Sequence, residues 1–128
     1  MIPIYSKIQP DLSLKQVETL EAFDEVKKDC SDKVLVAFFH AEWHEGCVQI
    51  KEIITELSKV HKRVRYVWLD ADSQAVSAIL ERFGVQQVPS FGVCYPVKQN
   101  FDLWVDPEVE ELTRNLENLE QEHTALYA

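Results

Sequence analysis

The sequence predicts an α/β domain built on one mixed central β-sheet with helices on both faces. Three observations carry this expectation. The chain has 128 residues, the length of one compact domain. Strand-like and helix-like segments alternate in the order β-α-β-α-β-α-β-β-α. Val34-Leu35-Val36-Ala37-Phe38-Phe39 is a continuous apolar run of strand length, as a central strand covered on both faces requires.

Residues 1–12 read as an irregular arm bracketed by Pro3 and Pro10, and residues 13–128 as the domain. Leu14-Lys15-Gln16-Val17 suits a short edge strand. A first helix is expected from Leu20 to Cys30, with Leu20, Phe23 and Val26 at helical spacing. The next helix is expected over Gly46–His61. Ile50, Ile53, Ile54, Leu57 and Val60 form its buried stripe, which Cys47 extends by one turn. Val64–Leu69 is rich in β-branched and aromatic residues and reads as a second buried strand. A third helix carries Val76, Ile79, Leu80 and Phe83 and stops at Gly84, a good C′ residue. Phe91–Tyr95 and Phe101–Val105 flank a turn at 97–100 and should pair antiparallel, the second as an edge strand. Asp106 as N-cap, Pro107 at N1 and Glu108 in the first turn should open the last helix. Val109, Leu112, Leu116 and Leu119 would be its apolar face. A parallel β-α-β half therefore meets an antiparallel β-β-α half.

Composition narrows the function classes. Apolar residues make up 46 % and charged ones 27 % of the chain, the ordinary globular range. The formal net charge of −9 argues against a nucleic-acid partner, which needs a basic surface. Glu108, Glu110, Glu111, Glu117, Glu120 and Glu122 concentrate that charge near the C-terminus and read as a solvated helix face. The first residues lack the long apolar stretch of a secretory signal, and no run approaches membrane-spanning length. Cys30, Cys47 and Cys94 are too few and too scattered for a disulfide framework. No membrane partner is expected. A reducing compartment is expected, the cytoplasm first and the nucleus second.

Several segments resemble thioredoxins. Lys33–Trp43 is similar to their central strand and the approach to their active site, Val88-Pro89-Ser90 to their cis-proline loop, and Leu69-Asp70-Ala71-Asp72 to the acidic end of their third strand. The resemblance spans about Leu14–Leu119 and implies the thioredoxin fold, with a cis Val88–Pro89 bond. Within that family the chain most resembles the N-terminal thioredoxin-like domain of multidomain monothiol glutaredoxins. The shared features are a motif lacking its first cysteine, a Trp before it, and a last helix opened by Asp-Pro and acidic residues, as over Asp106–Leu112. That likeness implies a link to redox and iron homeostasis. An iron–sulfur cluster is implied only for an attached glutaredoxin domain.

The active-site segment departs from thioredoxin chemistry. A dithiol oxidoreductase needs an attacking thiolate at a helix N-terminus and a second thiol three residues on. In Trp43-His44-Glu45-Gly46-Cys47, His44 stands at the attacking position, and an imidazole forms no disulfide. The resemblance places Phe38 where thioredoxins bury an Asp, Glu52 where they have a proline, and Trp104 near a glycine.

Two readings of the site remain open from sequence. In one, Cys47 is a catalytic monothiol whose thiolate His44 stabilises, with glutathione as a candidate cofactor. In the other, Cys47 is a buried core residue and the domain binds a partner protein or extended peptide. The binding groove would comprise Trp43, His44, Glu45, Gly46, Val88, Pro89 and Ser90. A folding cofactor of the phosducin-like type is a weaker third reading, since those proteins usually lack the Val-Pro-Ser loop. A zinc site at His40, His44 and Cys47 is weighed and set aside. Its residues leave a strand and open a helix, and a fourth ligand is missing. His61 and His123 are expected at solvated helix ends.

Overall fold

The computed structural model describes residues 14–29, 32–96 and 101–127, with side chains described as far as Glu122. The arm at 1–12, Cys30, the turn at 97–100 and the His123 side chain lie outside the described residues.

The elements are β1 (Leu14–Gln16), α1 (Leu20–Asp29), β2 (Val34–His40), α2 (Glu45–Val60), β3 (Val64–Asp70), a single 3-10 turn (Gln74–Val76), α3 (Ser77–Phe83), β4 (Ser90–Cys94), β5 (Phe101–Val105) and α4 (Val109–Tyr127). They form a five-stranded sheet in the order β1-β3-β2-β4-β5. β1, β3 and β2 run parallel; β4 lies antiparallel to β2, and β5 antiparallel to β4.

β2 is buried along its whole length because both of its faces are covered. Val34, Val36 and Phe38 pack on one face with Cys47, Ile50 and Ile54 of α2 and Leu112 and Leu116 of α4. Leu35, Ala37 and Phe39 pack on the other with Phe23 and Val26 of α1 and Ile79 and Phe83 of α3. The alternation follows from the two-residue repeat of a strand. Phe38 lies opposite Phe91 across β2–β4, with ring centroids 4.9 Å apart and planes nearly parallel. Gly92 makes room for Phe83, since a Cβ there would sit 2.6 Å from the Phe83 ring. Gly84 ends α3 in the left-handed conformation, at φ 72°.

The structure corrects several local expectations. Val60 is 65 % exposed rather than buried, and Ile53 and Leu57 are half-buried, so the α2 stripe is Cys47, Ile50 and Ile54. Trp68 is half-buried on β3. Asp106 does not cap α4. It lies at φ 44°, past the end of β5, and its N–H donates to the Pro89 carbonyl at 2.8 Å. The helix opens two residues later, with Leu112 N–H bonding to Glu108 O. Val109 is partly exposed.

His61 is not solvated. It is buried at the end of α2, with Nε2–H donating to Glu117 Oε1 at 3.0 Å and Nδ1 2.7 Å from the Tyr66 hydroxyl. Burial raises the Tyr66 phenol well above its usual range, and Glu120 and Glu117 add to that, so it stays a donor. Glu120 accepts from the backbone N–H groups of Lys62 and Arg63 at 3.1 and 2.9 Å. Part of the acidic run on α4 thus fastens α4 to the start of β3.

Candidate functional site

The site gathers where β2 and β3 end, α2 begins, and the chain turns into β4. His44 is the N-cap of α2, with extended backbone at φ −98° and ψ 114°. Its Nδ1 accepts from the Cys47 N–H at 3.3 Å, an amide it shares with the His44 carbonyl at 3.0 Å, in the N-cap geometry of a side chain bonded to the N3 amide. Gly46 lies beneath the ring. A Cβ at Gly46 would sit 2.9 Å from His44 Cε1 and 3.1 Å from Nδ1. His44 thus serves as a helix cap, and Gly46 gives the cap its space.

Cys47 is fully buried within the cluster between the sheet and α2. Burial raises its thiol above the usual range. A backbone hydrogen bond at Ala41 acts the other way, and Asp106 adds to the rise. Burial with a raised pKa favours the neutral thiol, the less reactive form of the group. Cys94 is half-buried on β4. His40 is buried at the end of β2, edge-on to Phe38 and Trp68, with Nδ1 unpaired. Among the described residues no three His, Cys, Asp or Glu side chains gather to hold a metal. No helix among them is long and apolar enough to cross a membrane.

Trp43 projects from the loop before α2 and is 69 % exposed. Its indole N–H donates to Asp72 Oδ2 at 2.8 Å, and Asp72 N–H donates in turn to Asp70 Oδ1 at 3.0 Å. The loop after β3 therefore holds the indole in place, and Ala71 N–H is fixed to His40 O at 2.8 Å. Beside Trp43 runs an apolar groove of about 350 Å³, walled by Leu80, Val85, Gln86, Gln87 and Val88 with Ala71 at its head. The Val88–Pro89 bond is cis. Pro89 is buried behind this wall, and its carbonyl holds Asp106 N–H.

Of the residues assigned to the groove from sequence, Trp43 and Val88 line it. Glu45 lines a second hollow on the other side of Trp43, with Glu42, Val48, Gln49 and Glu52. His44 and Gly46 line neither hollow, because the ring is folded back on the helix start. Ser90 is fully buried, its hydroxyl donating to Gln87 O at 2.8 Å, so its side chain shapes the loop from behind. Sequence reading missed Leu80, Val85 and Asp72. The signal was present for Leu80: Ile79 and Phe83 already fill the α3 core face, which leaves Leu80 on its margin.

A thioredoxin family model matches residues 14–118. Glutaredoxin 3 of Danio rerio is 32 % identical over 101 residues, covering 79 % of this chain and 30 % of its own. Thioredoxin-2, mitochondrial, of Schizosaccharomyces pombe is 29 % identical over 101 residues, covering 78 % of this chain and 74 % of its own. The structure of thioredoxin O1 from Arabidopsis thaliana superposes with a TM-score of 0.73 at 23 % identity, covering 84 % of this chain and 98 % of that one. The chain spans under a third of the glutaredoxin-3 relatives it matches, with 31 % of the Mus musculus protein as a second case. With a matching model over most of its length and this sheet order, the chain belongs to the thioredoxin family.

Proposed function

We propose that this domain is a redox-degenerate thioredoxin that works as a protein-interaction module. It holds an extended segment of a partner in the groove between Trp43 and the Val85–Val88 wall. One observation carries the reading: Cys47 is sealed in the core while Trp43, the residue that opens the same motif, is 69 % exposed beside an apolar groove. Chemistry has withdrawn from this end of the fold and a binding surface remains. The likeness to glutaredoxin-3 supports a regulatory role in redox or iron homeostasis, in the cytoplasm or nucleus.

The test combines thiol mapping with partner capture. Native protein is alkylated across pH 7–9 and mapped by mass spectrometry; Cys47 stays unmodified until the protein is unfolded. The alkylated domain, immobilised, retains its partner, and Val88→Asp in the groove releases it. Rapid labelling of Cys47 near neutral pH, with retention that depends on a free thiol, replaces this reading by the monothiol one.

A further inference from the structure

Trp43 is a shared wall. On one side lies the apolar groove, on the other the hollow of about 390 Å³ formed by Glu42, Glu45, Val48, Gln49 and Glu52. All three glutamates are exposed, and among the described residues none of them enters an ion pair. Among the described residues no lysine or arginine lines either hollow. The neighbouring cation on α2, Lys51, holds its Nζ 3.7 Å from the Trp68 ring. A third hollow, at the start of α4, is edged by Asp106, Glu108 and Glu111, with no cation among the described residues that line it. Asp106 N–H donates to the Pro89 carbonyl at 2.8 Å, which places that hollow at the same end of the sheet.

Like charges gathered around a binding groove repel an acidic ligand and steer a basic one. An exposed indole adds a face on which a guanidinium or ammonium is attracted to the ring quadrupole. In an extended strand successive side chains point to opposite sides, so a peptide can send an apolar residue into the groove and a basic one across Trp43.

We propose that the partner segment is basic: an extended peptide that seats an apolar side chain against Leu80, Val85 and Val88 and places Arg or Lys beside it, over Trp43 and against Glu42, Glu45 and Glu52. This rests on the peptide-binding reading above.

The test uses three synthetic nine-residue peptides. They share an extended Val-Thr-Val centre and hold Arg, Gln or Glu at the two flanking positions. Binding is read by calorimetry and by the change in tryptophan emission that Trp43→Phe removes. The Arg peptide binds about tenfold more tightly than the Gln peptide at low salt, and the Glu peptide more weakly than either. Raising salt from about 50 to about 300 mM narrows the gap. The triple variant E42Q/E45Q/E52Q brings the Arg peptide down to the Gln level. A control with the same charge loss at exposed acids toward the far end of the sheet, E25Q/D29N/E122Q, leaves the preference intact.

Equal binding of the three peptides overturns the basic-partner proposal and leaves the groove reading standing. Equal weakening by both triple variants also overturns it, since net charge alone then accounts for the preference. Failure of every peptide to bind, with Val88→Asp without effect, overturns both.

Discussion

His44 and Gly46 act as a unit. The ring caps α2 by accepting from Cys47 N–H, and it fits only because Gly46 has no Cβ. Losing an N-cap costs about 1 kcal/mol, and replacing glycine by alanine near a helix start returns up to about 1 kcal/mol of backbone freedom. In the parent, Gly46→Ala therefore changes stability little, because the gain is cancelled as the ring is pushed off its cap. In a His44→Ala background the same change stabilises by the full amount. Urea unfolding of the four proteins should give a coupling of about 1 kcal/mol, and additive effects would refute the cap. Phe38 makes the parallel point for chemistry. Its ring stacks on Phe91 in a fully buried layer, where the family resemblance expects a carboxyl. Phe38→Asp removes that packing at a cost of about 3–5 kcal/mol and buries an acid without a partner. Burial raises such an acid's folded pKa, so the folded state holds the proton longer than the unfolded one. The penalty grows as pH rises, which unfolding at pH 5 and pH 8 will register.

At the scale of elements, α4 is more than a lid on the sheet. Glu120 satisfies two backbone amides where the chain leaves α2 and begins β3, and Glu117 binds the buried His61. Hydrogen bonds to a charged group contribute about 1.5–3 kcal/mol each when desolvated, and less at this partly open position. Glu120→Ala is expected to cost about 1–3 kcal/mol and Glu120→Gln, which keeps one acceptor, about half of that; a shift in the urea midpoint measures both. Element order and the parallel and antiparallel pairing senses were legible because they follow from local period and from short connections, as β2 and β3 show. The roles of Glu117, Glu120 and His61 were not. Each depends on a partner more than fifty positions away in the chain or on which side of α2 faces α4, and period carries no such information. Asp106-Pro107 misled for a related reason. Its local pattern is a good helix start, but the Pro89 carbonyl takes the Asp106 amide and delays the helix by two residues. The groove was half legible: Trp43 and Val88 stand in recognisable motifs, whereas Leu80 and Val85 line it only because α3 ends beside the proline loop.

For the molecule as a whole, the buried His40 should set part of the pH dependence of stability. Burial lowers its pKa most, Lys51 lowers it further, and Glu42 and Asp70 oppose the shift without reversing it. These are the charged groups that face it, from α2, from the loop after β2 and from the end of β3. In the unfolded chain the imidazole titrates near about 6.5. Below that value the unfolded state takes up a proton that the folded state refuses. Unfolded molecules then bind more protons than folded ones, and stability falls as pH drops. The loss begins as pH passes below about 6.5 and levels off only under the lowered folded pKa, where both states are charged. Each unit of lowering removes at most about 1.4 kcal/mol. Carboxylates and the other histidines titrate too, so the comparison is with His40→Phe, which keeps an aromatic ring against Phe38 and Trp68 and leaves no unpaired nitrogen. The difference in unfolding free energy between parent and variant should shift in favour of the variant between pH 7.5 and pH 5.5. A difference that stays flat across that range would show that His40 is protonated in the folded state as readily as in the unfolded one.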